Sequence, residues 1–328
     1  MSLGNEKLIE TLRCPACRGG LSFVDDHTLA CNACNVTFPI INGIPRMLLS
    51  PFREALLGNG AASGLDAKQV ETALSFGFEW QRFPEMYEEW ERQFLDYMQP
   101  HAVEFFRGKK VLDAGCGNGR FAYYATKYGA EVWAIDLGPA VEVANRNTAN
   151  VGQAQVVQAD LHNPPFALES FDFIYSIGVL HHLPDPLRFF KECVRALSSG
   201  GRIVLIEPHI SLWSFFVYKF LHHEPCDLMD DVWGQRLSAS DHNFANAALP
   251  WLILQRGQKR FLAEFPELRI VDIEFLDFIA YPASGGFNYR SFAPIPIIRA
   301  ILQFEKLLPK TVTKYITGMR SSTVIERL

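Results

Sequence analysis

The centre of the chain alternates short apolar runs, typical of buried β-strands, with amphipathic segments typical of helices. The predicted helices Arg120–Tyr128 and Pro186–Leu197 lie among these runs. The predicted strands are Lys109–Asp113, Glu131–Asp136, Gln155–Asp160, Phe171–Ile177 and Gly201–Glu207. Regular alternation of this kind predicts a parallel sheet that is covered by helices on both faces.

Two further strands are predicted in the C-terminal third, at Glu267–Leu276 and Ser322–Arg327. With them the sequence predicts an α/β fold, a doubly wound, mostly parallel seven-stranded sheet within a domain at residues 85–328. Two insertions that are rich in apolar side chains then lie at about residues 208–259 and 277–321. The first contains Leu212–Leu221, which is hydrophobic nearly all round and must be buried or meet an apolar partner.

The second insertion contains a predicted amphipathic helix between Pro296 and Pro309. Its apolar side carries Ile297, Ile298, Ile301, Leu302 and Leu308, and its polar side carries Arg299, Gln303, Lys306 and Lys310. The surrounding segment 290–328 holds seven basic and two acidic residues. Such a helix fits a cap on the core whose lysines face water, and it also fits peripheral contact with an anionic membrane. Both interpretations stay open.

Composition narrows the class of protein. Hydrophobic residues make up 48% and charged residues 20% of the 328 positions, as in an ordinary globular protein. A net charge of -5 argues against a surface that binds nucleic acid generally. Met1–Glu10 lacks the apolar stretch of a signal peptide, and no run is long enough to span a membrane, so a cytoplasmic location is expected.

Four of the seven cysteines form two CxxC pairs near the N-terminus, and these are Cys14, Cys17, Cys31 and Cys34. Two such pairs bring four thiolates onto one tetrahedral zinc ion. Disulfides are the alternative, but they need an oxidising compartment that nothing in the sequence indicates. Because four thiolates leave no open coordination position, the predicted zinc is structural. Alternating apolar residues around Asp25 and Asp26 predict a β-hairpin between the pairs.

With the tail Phe38–Met47, the cysteine pairs resemble the small zinc-ribbon protein that activates several tRNA and protein methyltransferases. The resemblance covers residues 1–50, which carry no net charge. A ribbon that grips phosphates should be basic, so we interpret this one as a packing or protein-contact module. Residues 51–84 are predicted to be a linker and an aromatic docking segment, and a helix is predicted over Glu85–Arg107.

A glycine-rich loop, Gly115-Cys-Gly117-Asn-Gly119, directly follows the first strand of the predicted sheet. Glycines at this place let the backbone turn sharply and approach a ligand closely. The second strand ends at Asp136, in position to bond ribose hydroxyls, and the third ends at Asp160. A nicotinamide-dependent dehydrogenase is an alternative, but the spacing of the three glycines departs from the GxGxxG pattern of those enzymes.

The run Val111–Phe121 resembles the first motif of the class I S-adenosylmethionine-dependent methyltransferases, and Phe171–Leu183 resembles their fourth motif. The resemblance covers residues 105–210 and implies S-adenosylmethionine as the methyl donor. The cofactor-binding residues that it implies are Asp113, Gly115, Gly117, Asn118, Gly119, Asp136, Leu137, Asp160, Leu161 and Ile177. It implies that Asp113 and the glycine loop face the methionine moiety, Asp136 the ribose and Asp160 the adenine edge.

The candidate catalytic residues are His181 and His182, which follow the carboxyl end of the fourth strand. Open sheets of this kind bind ligands at that edge, and an imidazole has a suitable pKa for taking a proton from a hydroxyl or amine. The alternative is that these histidines only bond the loop backbone. Further candidates, which the sequence does not rank, are Glu207, His209, His222, His223, Asp241 and His242.

The sequence thus predicts O-methylation of a small-molecule, glycan or lipid-carrier-linked acceptor by a cytoplasmic enzyme. One alternative is a methyltransferase of ribosomal or transfer RNA, because a zinc ribbon fused ahead of this fold resembles the guanine-N1 rRNA methyltransferases. Another is a catalytically idle scaffold that binds S-adenosylmethionine. A small-molecule or lipid-linked substrate is the expected partner, and nucleic acid is not expected.

Overall fold

The computed structural model describes residues 3–222, 224–233, 245–284 and 292–328. The described residues divide into two compact units. The first unit comprises Met1–Ser176, Asp185–Ile203 and Glu326–Leu328, and the second comprises Ile177–Pro184 and Val204–Ile325.

A seven-stranded sheet confirms the predicted fold class. Its strands are β5 (Lys110–Ala114), β6 (Glu131–Asp136), β7 (Ala154–Gln158), β8 (Phe171–Ile177), β9 (Leu197–Pro208), β10 (Leu268–Leu276) and β11 (Arg320–Arg327). They are arranged in the order β10-β11-β9-β8-β5-β6-β7. Strand β5 pairs in parallel with β6 and with β8, and β6 pairs in parallel with β7. Each strand was predicted from the sequence, although β7 ends at Gln158, which leaves Asp160 in the following loop.

The zinc-ribbon module is a four-stranded sheet in the first unit. Its strands are β1 (Leu21–Asp25), β2 (Thr28–Cys31), β3 (Thr37–Ile41) and β4 (Ile44–Pro45), in that order. Strands β1 and β2 pair antiparallel around Asp25 and Asp26, which confirms the predicted hairpin. Within its unit the ribbon is tied to the larger sheet, because the backbone N–H of Met47 donates to the Gln158 carbonyl at 2.8 Å.

Helices occupy most of the remaining described chain. The α-helices are α1 (Leu3–Thr11), α2 (Phe52–Leu57), α3 (Gly64–Arg82), α4 (Glu89–Tyr97), α5 (Arg120–Lys127), α6 (Val141–Thr148), α7 (Pro186–Ala196), α8 (Leu212–Phe220), α9 (Leu249–Trp251), α10 (Gln258–Glu264), α11 (Ala280–Ala283), α12 (Ile295–Glu305) and α13 (Lys310–Val312). Short 3-10 helices lie at Val103–Phe106 and Leu180–His182, and π-helical turns lie at Leu252–Arg256 and Thr313–Thr317.

One helix boundary differs from the sequence prediction. The single helix expected over Glu85–Arg107 is divided into α4 and a 3-10 turn, with Pro100 between them. Proline disfavours the helical conformation in the residue before it and has no N–H for the helical ladder, so the helix ends there. Helices α2 and α3 lie within residues 51–84, the segment interpreted as linker and docking segment.

Buried aromatic rings form the centre of the first unit. Phe94 of α4 is buried, and its ring centroid lies 5.2 to 6.4 Å from those of Phe106, Phe121, Tyr124, Tyr128 and Tyr175. These separations are typical of favourable aromatic contacts. Helix α4 is therefore held against α5, the helix that follows the glycine-rich loop, and against strand β8.

The second unit exposes much of its apolar surface. Helix α8 begins with a capping box between Ser211 and Ser214. Its residues Val217 and Tyr218 are buried, whereas Leu212, Phe216 and Phe220 are 74%, 49% and 67% exposed. Leu212–Leu221, expected to be buried or to meet an apolar partner, is thus buried on one side only. Among the described residues, no helix combines the length and the apolar character that crossing a membrane requires.

Candidate cofactor and metal sites

The glycine-rich loop leaves the carboxyl end of β5 in a conformation that requires glycine. Gly115, Gly117 and Gly119 have φ angles of 85°, 52° and 76°, in the left-handed region that other residues rarely adopt. A Cβ atom built on Gly119 would lie 2.8 Å from the Ala144 Cα atom of helix α6. The loop can therefore pack against α6 only without a side chain at this position.

Asp136, at the end of β6, is joined to the same loop. Its carboxylate accepts the backbone N–H of Gly117 at 3.0 Å and that of Gly138 at 2.9 Å. Burial raises the pKa of Asp136, although these backbone donors act in the opposite direction. A carboxylate has about four acceptor positions, so two hydrogen bonds leave capacity for ribose hydroxyls.

Asp160 lies two residues beyond β7 and is buried. Its Oδ1 atom accepts the backbone N–H of His162 at 3.0 Å and the side-chain amide of Gln69 at 3.3 Å. Burial raises the pKa of Asp160, but the hydrogen bonds and charge of His162 outweigh it, so the pKa lies below the usual value. The neighbouring Leu161 is buried as well, and Leu137 packs beside the cluster formed by Leu48, Phe52 and Val70.

Two buried polar atoms beside the loop have no hydrogen-bond partner among the described residues. They are Oδ2 of Asp113 and Nδ2 of Asn118. Burial raises the pKa of Asp113 to about 7. Buried polar atoms are nearly always satisfied in folded proteins, and an orphaned acceptor and donor beside a glycine loop fit a polar ligand such as the methionine part of S-adenosylmethionine. The residues present therefore fit this cofactor.

Helix α3 lies over the loops that follow β5 and β6. The sequence predicted a docking segment here but not the surface on which it docks. A Cβ atom on Gly117 would lie 2.7 Å from Nε1 of Trp80, and Gly138 is in close contact with the backbone of Ala73. Gln69 of the same helix donates to Asp160. The sequence signals were a glycine inside a helical pattern, Gly77, and a tryptophan one turn later.

We expect Gly77→Val to lower the free energy of unfolding by about 1–3 kcal/mol, the usual cost of overpacking. A Cβ atom on Gly77 would lie 2.6 Å from Cδ of Pro139, so α3 must move away from the loop after β6. Urea denaturation measures the change. Gly20→Ala is the matched control, since its added Cβ has no neighbour nearer than 3.7 Å. Equal stability of the two variants would contradict the packing described for α3.

The four N-terminal cysteines are arranged for zinc. One sulfur from each lies within 4.8 Å of the other three, and the Sγ atoms of Cys14 and Cys34 are 3.7 Å apart. Sulfurs at about 2.3 Å from a tetrahedral zinc ion lie about 3.8 Å from one another, whereas disulfide sulfurs are about 2.05 Å apart. The backbone N–H groups of Ala33 and Cys34 also point at Sγ of Cys31, at 3.4 and 3.5 Å. This donor set fits a structural zinc ion, as predicted.

Basic residues of the ribbon form ion pairs with carboxylates of the first unit. Arg46 is buried, pairs with Glu142 and donates to Oε1 of Gln158 at 3.0 Å. Arg18 forms an ion pair of 2.9 Å with Glu192, and Lys7 one of 3.0 Å with Glu131. These contacts support the interpretation of the ribbon as a packing module, because charges already paired with protein carboxylates are poorly placed to grip phosphates.

The candidate catalytic histidines lie in the second unit, in a cluster of charged groups. His181 is buried, and its Nδ1 atom lies 2.6 Å from Oε2 of Glu207. Its Nε2 atom lies 3.5 Å from Glu224, and so does Nε2 of His182. Burial alone would lower the pKa of His181, but the charges of Glu207 and Glu224 raise it to about 10.

Some of the remaining candidate residues hydrogen-bond to the backbone, and the others lie outside the described residues. His209 is buried and donates from Nε2 to the Lys314 carbonyl at 2.7 Å, and burial lowers its pKa to about 4. His222 accepts the backbone N–H of Glu224 at 3.2 Å. Ile177, expected at the cofactor, is the half-buried last residue of β8 and belongs to the second unit. His223, Asp241 and His242 lie outside the described residues.

Comparison with known protein families confirms both sequence resemblances. Residues 112–205 match the family model of the methyltransferase domain, and residues 5–43 match that of the Trm112p-like proteins. The chain therefore contains a methyltransferase domain, preceded by a Trm112p-like zinc ribbon. The glycine loop, Asp136 and Asp160 all lie within the first match, and the four cysteines lie within the second.

Similar proteins match the central region of the chain. Chloroplastic tocopherol O-methyltransferase of Arabidopsis thaliana is 38% identical over 104 residues, which cover 30% of each chain. A ubiquinone biosynthesis O-methyltransferase of Aliivibrio fischeri is 34% identical over 116 residues, 33% of this chain and 47% of that protein. The matches thus span less than half of these relatives. A crystal structure of an S-adenosylmethionine-dependent methyltransferase from Mesorhizobium loti has a TM-score of 0.42 and 18% identity, covering 69% of this chain and 98% of that one.

Proposed function

We propose that this protein transfers a methyl group from S-adenosylmethionine to an oxygen of a small-molecule, glycan or lipid-carrier-linked acceptor. The observation that carries the proposal is the set of groups after three neighbouring parallel strands: the glycine loop after β5, Asp136 at the end of β6 and Asp160 after β7. The tocopherol and ubiquinone biosynthesis enzymes that match the same region are named as O-methyltransferases, which supports oxygen as the methylated atom.

In the proposed cofactor site, Asp113 and the loop with Gly115, Gly117, Asn118 and Gly119 face the methionine moiety. Asp136 binds the ribose, while Asp160 and the backbone of Leu161 bind the adenine edge. Leu137, next to Asp136, belongs to the same proposed cofactor site. Ile177, in the second unit, stays an expectation from the sequence resemblance. Methyl transfer from a sulfonium is an in-line displacement, and holding the reacting atoms in line contributes about 7–11 kcal/mol in favourable cases.

A hydroxyl acceptor must also lose its proton, the step for which His181 and His182 are proposed. A correctly placed base accelerates such a step by about 10²–10⁴-fold. The charges of Glu207 and Glu224 raise the pKa of His181, which favours its protonated form. A protonated imidazole cannot take the proton of the acceptor. His181 therefore acts as a base only when another positive charge balances the two carboxylates.

Transfer of labelled methyl groups tests the proposed function. Purified protein is incubated with labelled S-adenosylmethionine and with separated lipid, small-molecule and RNA fractions of cells. Label in the lipid or small-molecule fraction, lost with Asp136→Ala, is the expected result. Label in RNA would favour the nucleic-acid alternative instead. Binding of S-adenosylhomocysteine without transfer to any fraction would favour the scaffold.

We further propose peripheral contact with a lipid surface through helices α8 and α12. Leu212, Phe216 and Phe220 recur every fourth residue of α8, so these exposed apolar side chains share one face. On and next to α12, Ile295, Ile297, Phe304 and Leu307 are also exposed, between 51% and 80%. The positive charge on the polar side of the predicted helix is partly neutralised, since Lys310 pairs with Glu274 at 2.6 Å. The exposed apolar side chains thus support contact with lipid more than the positive charge does.

Flotation with liposomes tests the contact. We expect the protein to float with anionic vesicles, with modest weakening at high salt because screening acts only on the charged part of the attraction. Phe220→Ser should reduce the floating fraction, since it removes an exposed ring. Leu168→Ser is the matched control, because Leu168 is 70% exposed in the first unit. A protein that stays at the bottom with every vesicle, or equal losses in both variants, would refute the contact.

A further inference from the structure

The second unit brings together imidazole and carboxylate groups from segments that are distant in sequence. His181 and His182 lie in the 3-10 turn Leu180–His182, and Glu224 follows helix α8. One nitrogen or oxygen atom from each lies within 4.8 Å of the other two. Glu224 reaches both imidazoles, with Oε2 at 3.5 Å from Nε2 of His181 and Oε1 at 3.5 Å from Nε2 of His182.

These separations suit ligands of one ion. Nitrogen and oxygen ligands lie at about 2.0–2.1 Å from zinc, so two ligands in tetrahedral positions are about 3.4 Å apart. Two histidines and one glutamate are also a donor set of known catalytic zinc sites. Harder cations such as magnesium prefer all-oxygen ligands, so the imidazoles favour a first-row transition ion.

Glu207 holds His181 in the orientation that ligation requires. Its Oε1 atom accepts the backbone N–H groups of Val179 and Leu180, at 2.9 and 2.8 Å. Its Oε2 atom lies 2.6 Å from Nδ1 of His181. When an ion replaces the proton of Nε2, a carboxylate fixed in this way keeps the proton on Nδ1 and leaves the lone pair of Nε2 to bind the ion on the side of Glu224. Metal-binding histidines regularly have such a carboxylate behind them.

The charges of the cluster also suit a divalent cation. The side chains of Glu207 and Glu224 are 1% and 12% exposed, and buried carboxylates are costly unless they are compensated. One divalent ion balances both. The neighbouring His222 is engaged through Nδ1, which accepts the backbone N–H of Glu224 at 3.2 Å.

We propose that His181, His182 and Glu224 form a second metal site, which binds a divalent first-row ion such as zinc, with Glu207 as the positioning residue. Among the described residues the site has three protein ligands, one fewer than the four thiolates of the ribbon, so a coordination position is open there. An oxygen ligand fits that position. If the proposed methyl transfer holds, this ligand is the hydroxyl of the acceptor, whose proton the ion makes easier to remove. The metal site itself does not depend on that function.

Metal analysis of the full chain, loaded with zinc and dialysed, tests the site. We expect two zinc equivalents per chain for the native protein and one for each of Cys14→Ser, His182→Ala and Glu224→Gln. The double variant Cys14→Ser/His182→Ala should contain none. His209→Gln is the matched control in the same unit, because a glutamine keeps a donor for the Lys314 carbonyl, and it should retain two equivalents.

Glu207→Gln tests the positioning residue. It should keep the second zinc at saturation and lower its affinity by about 10–100-fold in a competition titration, an effect that a purely structural role would not produce. The site is refuted if zinc titration of the native protein saturates at one equivalent, or if folded His182→Ala and Glu224→Gln retain two. A second zinc without methyl transfer would contradict only the proposed function. Methyl transfer with one zinc would contradict only this site.

Discussion

Cys14→Ser is expected to release the ribbon zinc and to unfold the residues between the cysteine pairs. Structural zinc contributes about 10–16 kcal/mol of apparent binding free energy in small zinc-finger peptides, and a ribbon of this size has little other core. Only a few of its side chains are buried in the structure, among them Leu21, Leu29, Phe38 and Ile44. Metal analysis should show the loss of one equivalent, and limited proteolysis should show new cleavage before Arg46.

The control for this variant is Cys193→Ala, which removes a buried cysteine of α7 outside the ribbon and should keep the zinc. Binding of S-adenosylhomocysteine should weaken by less than tenfold in Cys14→Ser. Some weakening is expected because the ribbon contacts the chain on either side of Asp160, through the bond of Arg46 to Gln158 and of Arg18 to the Pro164 carbonyl. A zinc content unchanged from the native protein would show that the four thiolates do not hold the ion.

Asp136→Ala is expected to weaken the binding of S-adenosylhomocysteine by more than tenfold, which corresponds to about 1.4 kcal/mol or more. The change removes the proposed acceptor for the ribose hydroxyls. It also frees the backbone N–H groups of Gly117 and Gly138, so the loop after β5 is held to β6 only by the backbone bonds of Gly115 and Cys116 to the Ile135 carbonyl. Titration calorimetry measures the affinity, and thermal unfolding of the same samples confirms that the variant is folded.

Two companion variants distinguish the contribution of the loop to S-adenosylhomocysteine binding from that of the carboxylate. Asp136→Asn keeps one acceptor oxygen, so its loss of affinity should be smaller than that of alanine. Gly117→Val places a side chain 2.7 Å from Nε1 of Trp80 at a φ of 52°, so it should distort the loop and weaken binding more than tenfold. If Asp136→Ala and Gly117→Val both bind S-adenosylhomocysteine with native affinity, the ligand of this site is a different one.

The local chemistry of this protein was determined by its sequence. The spacing of Cys14, Cys17, Cys31 and Cys34 predicted a four-thiolate group, and the structure brings their sulfurs together. Gly115, Gly117 and Gly119 predicted a sharp turn after a buried strand, and all three have positive φ angles. Such features depend on short stretches of chain, in which residue type and spacing fix the backbone directly.

Contacts between distant segments were decided only by the tertiary structure. The aromatic residues before α4 indicated docking but not a place, and the structure puts Trp80 against Gly117 and Gln69 against Asp160. In the same way, the sequence identified His181 only as a histidine after a strand. Its contacts with Glu207 and Glu224 exist only in the folded protein. The physical reason is that periodicity identifies which face of an element is buried, while the surface that covers this face depends on how all the elements pack. A pKa as high as that of His181 arises from such packing.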